Sequence, residues 1–338
     1  MYYCGFDQGT KSIAVCVSDE RGKVLYEGEV TLDRKEISKI VRRFKKLSCV
    51  VEAGPLAETL CNVVEELGCN IDIAESRRAA SVFKTKRKTD KIDVRKLASL
   101  ARTKWYTRVH RKSAESRVLR TYLTARVQLV KTAGALQSSI RGLLRANGIV
   151  LGKGSFTLEV KTALRKCDPL IQQSVLPMLE GWELLHKREK ELYRNLERKV
   201  VNNNEVARRL STTHCIGPAT AAAYMATIDD PRRFKESSCV PSYLGMVPSV
   251  YQSADTQVRG RITKDGDQLT RWLLNEAATS LLTRCRKKSA LRTWGLELKD
   301  KKGFGKARSA VARKMALILH KLWISNKDFD PEYTRAAG

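Results

Sequence analysis

The chain has 338 residues, with 64 Lys or Arg against 36 Asp or Glu, a formal net charge of +28 and a pI near 9.9. That length exceeds a usual single core, so two domains or more are expected, with ample chain for an enzyme. No apolar run reaches the roughly 18 residues of a membrane span, and nine cysteines without a C-x-x-C pair, with only four scattered histidines, argue against a structural zinc site.

From the N-terminus, "YYCGFDQGTKSIAVCVSDERGKVLYEGEV" reads as three strands separated by turns at "DQGTK" and "DERGK". A helix over 34–47, a buried strand "CVVEAG" at 49–54, a helix over 56–67 and a strand at 70–76 follow. This order predicts a mixed sheet with helices packed on it, an α/β domain over 1–112. Between 113 and 147, Leu119, Leu123, Val127 and Val130, then Leu136, Ile140 and Leu144, recur at helical steps. A second long helix spans about 169–201, and the two are expected to form an antiparallel or coiled-coil arm over 113–203. Beyond "VVNNNE", residues 204–326 read as a mainly helical C-terminal domain. It has short helices around Gly217-Pro218, a loop over 241–266, and helices at 267–285 and 305–325; 327–338 reads as a tail.

The positive charge is segregated. Residues 84–145 hold 18 basic and 3 acidic side chains, residues 259–321 hold 17 and 5, and the remainder is almost neutral. Two such blocks point to a polyanion, because each neutralised phosphate releases a counterion. The candidate contacts are Lys84, Lys86, Arg87, Lys88, Arg120 and Arg126 in the first block, and Arg259, Arg261, Lys264 and Arg271 in the second. The opening "MYYCGFDQGT" lacks the charged and apolar regions of a signal peptide, so a cytoplasmic, nucleoid-associated protein is expected.

Four acids stand out against this background. Asp7 follows "CGF" at the edge of a turn, where it either caps the turn or projects from a strand end. Glu52 lies inside the apolar "CVVEAG", where a carboxylate must be paired, protonated or metal-bound. Asp90 and Asp93 in "KTDKIDVRKLA" are three apart on a predicted helix, about 5–6 Å from one another. They either favour the positive end of that helix or share a cation. Together, carboxylates from strands and a helix suit two hard Mg²⁺ ions about 4 Å apart, the usual apparatus of phosphodiester cleavage; Mn²⁺ accepts the same oxygen ligands. In the loop "PSYLGMVPSVYQSADTQVRGRITKDGD", Ser249 and Ser253 lie among basic residues with no histidine nearby, so neither has an evident activating base.

The succession Asp7, "VEAGP" at 51–55, "KTDKIDVRKLA" at 88–98, the helical arm, "IGPATAAAYMATIDDPRRF" at 216–234 and "YLGMVPSVYQS…RGRITKDGD" resembles the insertion-sequence transposases of the IS one-ten family along nearly the whole chain. The resemblance implies an RNase H-like (RuvC-like) domain whose metal carboxylates are Asp7, Glu52, Asp90 and Asp93. It further implies a nucleophile at Ser253, with Ser249 as the second candidate, because the family usually places glycine after the serine and this chain has Ala254-Asp255. The segment at Gly217-Pro218 resembles a helix-hairpin-helix DNA contact. What the family implies is a DNA recombinase that moves its own element through a phosphoserine link. It would be guided by a structured bridge RNA that pairs with donor and target DNA, and would work as a dimer of dimers in which one subunit's serine serves another's carboxylates. A junction nuclease or a DNA invertase of similar architecture is the alternative.

Overall fold

The computed structural model describes residues 1–9, 11–44, 46–75, 90–253 and 256–332, of which 90, 91, 199, 251–253 and 256–259 are described by their backbone alone. The chain forms two compact units, Met1–Arg111 and Lys112–Gly338.

The first unit is built on a five-stranded mixed sheet, β1 (Tyr2–Gln8), β2 (Ile13–Ser18), β3 (Val24–Val30), β4 (Leu47–Glu52) and β5 (Asn70–Ala74), in the order β3-β2-β1-β4-β5. β1, β2 and β3 form an antiparallel meander, whereas β4 and β5 run parallel to β1. Side chains alternate between the two sheet faces. Cys4, Phe6, Val15, Val17, Cys49, Val51 and Ile73 share one face with α1 (Arg34–Arg43) and α2 (Ala57–Glu66). The other face carries Tyr3, Ala14, Cys16, Val50 and Ala74, covered by Val94, Leu97, Ala98 and Ala101 of α3 (Asp90–Thr103). Asp33 caps α1 by accepting from the Lys35 N–H at 2.8 Å. This mixed sheet with helices on both faces is compatible with the RNase H-like expectation.

The second unit opens with α4 (Ala114–Ala146), followed by α5 (Phe156–Leu164) and α6 (Pro169–Asn195). α4 and α6 are antiparallel: Tyr122 donates to the Leu192 carbonyl at 2.8 Å, whereas Ile140 and Leu144 pack with Val175 and Leu179. α6 runs into a π-helical turn at Leu196–Val201, with Leu196 packed against Leu123. The remaining helices are α7 (Glu205–Ser211), α8 (Pro218–Ile228), α9 (Cys239–Tyr243), α10 (Gln268–Thr283), α11 (Ala290–Lys302) and α12 (Phe304–Ser325).

α8 is the hub of this unit. Its "ATAAAY" run is nearly all buried, and small side chains there let α4 and α10 approach from one side while Tyr224 reaches the other. The buried Tyr224 hydroxyl donates to the Ala316 carbonyl at 2.7 Å, which satisfies its polar tip. No helix among the described residues is long and apolar enough to cross a membrane.

The stretch expected as a loop contains a two-stranded antiparallel hairpin, β6 (Pro248–Ser253) and β7 (Thr256–Ile262). "SVYQS" and "TQVRGRI" carry the β-branched and aromatic residues of short strands, and the break between them is only two residues long.

Candidate active site and nucleic-acid interface

Strand register brings two of the acids together. β1 and β4 are parallel, and Phe6 pairs with Val51 at the end of their ladder; Asp7 and Glu52 are the next residues on each strand. They therefore lie on neighbouring strands about 4.8 Å apart and on the same face, opposite to the buried Phe6 and Val51. That face is the one covered by α3.

Gly5 fixes how α3 lies there. A Cβ at this position would stand 2.4 Å from the Ala98 nitrogen and 2.5 Å from the Val94 oxygen, so helix backbone rests directly on strand backbone. Tyr3, further back along β1, packs in the cluster of Leu100 and Ala101, so α3 runs antiparallel to β1. Two residues forward from Gly5 to Asp7 cover about 6.7 Å of strand, and four residues back from Val94 to Asp90 cover about 6 Å of helix. The first turn of α3 thus comes level with Asp7. Position 90 continues the stripe of Val94, Leu97 and Ala101. Asp93 is partly buried and accepts from Lys96 Nζ at 2.9 Å.

Gln8 pins the neighbouring turn, a role the sequence reading missed. Its Nε2 donates to the Glu52 carbonyl at 3.0 Å, and its Oε1 accepts from the Leu56 N–H at 2.9 Å. Gly54 leaves room for this bridge, since a Cβ there would come within 3.1 Å of Gln8 Oε1. The one available signal was the polar residue directly after Asp7.

In the second unit, Ser253 is the last residue of β6 and pairs with Thr256 at the closed end of the hairpin. Ser249 lies at the other end, packed against Gly260 so closely that a Cβ there would meet its Oγ at 2.3 Å.

Two family models match these two regions. Residues 4–147, which include all four acids, match a DEDD transposase model, and residues 207–293, which include the hairpin, match the transposase model of the IS116/IS110/IS902 family. The chain belongs to the IS116/IS110/IS902 transposase family. It is 26% identical over 326 residues to the transposase for insertion sequence element IS1111A of Coxiella burnetii, covering 93% of this chain and 87% of that one. A probable family 20 transposase of Pseudomonas aeruginosa is 27% identical, covering 85% and 87%. A putative transposase of Sinorhizobium fredii, y4pF/y4sB, is 24% identical, covering 88% and 78%.

A DEDD domain implies dependence on a divalent metal in this transposase. The donor set fits a hard cation, because Asp7, Glu52 and Asp93 offer only carboxylate oxygens. Among the described residues no three acidic, His or Cys side chains converge on one point, and the Asp90 side chain lies outside them.

The transposase's candidate nucleic-acid contacts differ in their surroundings. Lys84, Lys86, Arg87 and Lys88, and the side chain of Arg259, lie outside the described residues. Arg120 grips Asp267 with two bonds, Nη1 to Oδ1 at 2.9 Å and Nη2 to Oδ2 at 2.6 Å. Asp267 also caps α10 by accepting from the Thr270 N–H at 2.7 Å. Burial alone would raise the Asp267 carboxyl, but Arg120 and the Thr270 N–H outweigh it and hold the group below its usual range. Arg126 is paired with Glu189 at 2.5 Å and lies 4.9 Å from the centre of the Tyr193 ring. Arg271 donates to the carbonyls of Leu244 and Gly266 at 2.9 and 3.1 Å. These three guanidinium groups join parts of the second unit to one another, and Arg261 and Lys264 remain as the exposed cations.

Proposed function

We propose that this transposase is a site-specific DNA recombinase that excises and inserts its own insertion sequence through a phosphoserine–DNA intermediate, guided by a structured noncoding RNA. The observation that carries the reading is the adjacency of Asp7 and Glu52 on one sheet face, level with the first turn of α3. Asp7, Glu52, Asp90 and Asp93 are then the ligands of Mg²⁺, for which Mn²⁺ can substitute. Bound there, a divalent ion would activate the attacking oxygen and stabilise the leaving one.

Ser253 supplies the attacking oxygen. As its hydroxyl loses a proton, a bond forms from Oγ to phosphorus, the backbone P–O bond of the DNA breaks, and the departing oxygen takes up a proton. One phosphodiester replaces another, so rejoining by the reverse step needs no nucleotide cofactor. Gln8 holds the Glu52 backbone in place through the β4–α2 turn, and Lys96 neutralises Asp93.

Target choice belongs in this reading to base pairing by the RNA, with the protein contributing cations that recognise phosphates and helix shape. The net charge of +28 supports partners of this kind at the bacterial or archaeal nucleoid. Assembly as a dimer of dimers draws support from apolar side chains that the long helix pair leaves exposed, among them Leu143, Leu176 and Leu184.

The test is direct. The protein, purified with its RNA, is mixed with a suicide DNA substrate and Mg²⁺, the products are run on a denaturing gel, and any protein–DNA adduct is mapped by peptide analysis beside the Ser253→Ala variant. An adduct at Ser253 that disappears in the variant is the expected result. Cleavage that survives in the variant without an adduct would make the protein a RuvC-like metal-dependent junction nuclease, and inverted products would make it an invertase.

A further inference from the structure

A groove of about 1070 Å³ opens in the second unit between α12 and the base of the β6–β7 hairpin. Its rim is cationic: Arg261 and Lys264 stand on the hairpin side, and Lys306, Arg313 and Lys321 on α12. Among the described residues none of these five makes an ion pair, unlike Arg120 and Arg126. Lys306, Arg313 and Lys321 are seven and eight residues apart and so share one side of α12, a stripe about 22 Å long. The carboxylate in the lining, Glu236, accepts from the Ser238 hydroxyl at 2.9 Å.

The floor is apolar, formed by Phe234, Met246, Ile262, Trp294 and Leu317. The partly exposed Trp294 ring is held on one side by Lys314, whose ammonium lies 3.9 Å from the ring centre. A second cavity, on the other side of Trp294, sets Glu297, Asp328 and Asp330 against Lys314, Lys321 and Lys327, so its lining lacks the excess of positive charge that the groove offers to phosphates.

We propose that this groove binds an unpaired DNA strand, with phosphates along the cationic rim and base faces on the apolar floor, and that the strand continues along the hairpin to Ser253. A duplex would offer the rim its phosphates but keep its base faces stacked inside, leaving the floor without a partner. Unpaired bases cover apolar surface and stack on aromatic rings, the combination used by single-strand binders.

Assignment to DNA rests on the reading of Ser253 as nucleophile, because the groove wall and that serine belong to one hairpin. From Pro248 to Ser253 the strand advances five residues, about 17 Å. The groove therefore begins about five nucleotides from the attacked phosphate, at about 3.4 Å per nucleotide when stacked.

The experiment uses the full-length protein with Arg313→Glu and Lys321→Glu combined; both side chains are exposed, and a melting curve confirms the fold. Affinity for a fluorescent single-stranded oligodeoxynucleotide is measured across a salt series, beside its duplex, the RNA of the same sequence and poly-glutamate. The single strand is expected to bind at least tenfold more weakly to the variant, with the salt slope reduced by about 1.4 for two lost phosphate contacts; duplex affinity changes less. An unchanged single-strand affinity and slope would overturn the proposal, as would a loss confined to the RNA or to the duplex. Equal capture of poly-glutamate by the unsubstituted protein would reduce the groove to a charged surface and also overturn it. The adduct assay separates the two readings: single-strand binding lost in the variant, with no adduct at Ser253 in the unsubstituted protein, keeps the groove as a DNA site and removes the serine on which its register rests.

Discussion

Replacing Gly5 by alanine tests whether the contact between α3 and β1 sets the geometry of the carboxylates. The added methyl group would stand 2.4 Å from Ala98 N, 2.5 Å from Val94 O and 2.7 Å from Leu97 Cβ, against 3.4 Å or more for an ordinary contact. Two of these neighbours are helix backbone, so no rotamer change relieves the overlap and α3 must lift by about 1 Å. Overpacking of this kind costs about 1–3 kcal/mol, which lowers the melting temperature of a unit of this size by several degrees. Lifting α3 carries Asp90 and Asp93 away from Asp7 and Glu52, and a displacement of about 1 Å in a catalytic arrangement reduces rate by about 100-fold. The assays are metal-dependent cleavage of a DNA substrate and a thermal melt, with Gly134→Ala as control, since a Cβ at Gly134 meets nothing within 4 Å. A Gly5→Ala protein that melts several degrees lower yet cleaves at the original rate would refute the link between helix seating and chemistry. One that also melts normally would refute the packing itself.

Asp93→Asn is expected to abolish cleavage while leaving nucleic-acid affinity within about twofold; a large fall in affinity would assign the carboxylate to binding. Gln8→Leu removes both bonds to the Glu52–Leu56 turn and is expected to lower cleavage by about tenfold at saturating DNA, with binding preserved. Arg120→Ala leaves the Asp267 carboxylate without its bidentate partner, and the partial exposure of both side chains brings the expected loss to about 2 kcal/mol. That ion pair stabilises the fold above the ordinary carboxyl pKa and is lost as pH falls through the depressed Asp267 value; melting of the variant and parent at pH 7 and pH 3 measures the difference, and an equal gap at both values would count against it. Lys112 donates to the Thr227 carbonyl, and burial first, then Arg233, lowers its pKa to about 8. The unfolded chain therefore binds more protons between about pH 8 and the ordinary lysine value of 10.5, so stability rises with pH across that window. Discounted for its exposure, the gain is on the order of 1–2 kcal/mol. Lys112→Met should remove that rise in denaturant melts at pH 7.5 and 9.5, whereas parallel curves for the two proteins would reject the assignment.

The sequence by itself determined much of the local structure. The three opening strands, the strand of Glu52, the helix that begins at Asp90 and the long apolar repeats of α4 and α6 were legible because strand and helix periods are properties of neighbouring residues. The hairpin of Ser253 was hidden by its own glycines and prolines, which read as loop, and α11 was hidden by a run crowded with lysines. Tertiary structure alone decided that Asp7 stands beside Glu52, because the register of β1 against β4 depends on pairing across more than forty residues of chain. It also decided which positive charges face solvent. Arg120 and Arg313 look alike in a basic sequence, but a carboxylate 147 residues away grips the first and the second stands on an exposed helix stripe. A side chain's charge is fixed by its chemistry, but whether that charge remains available to a phosphate depends on what folding brings within hydrogen-bonding distance.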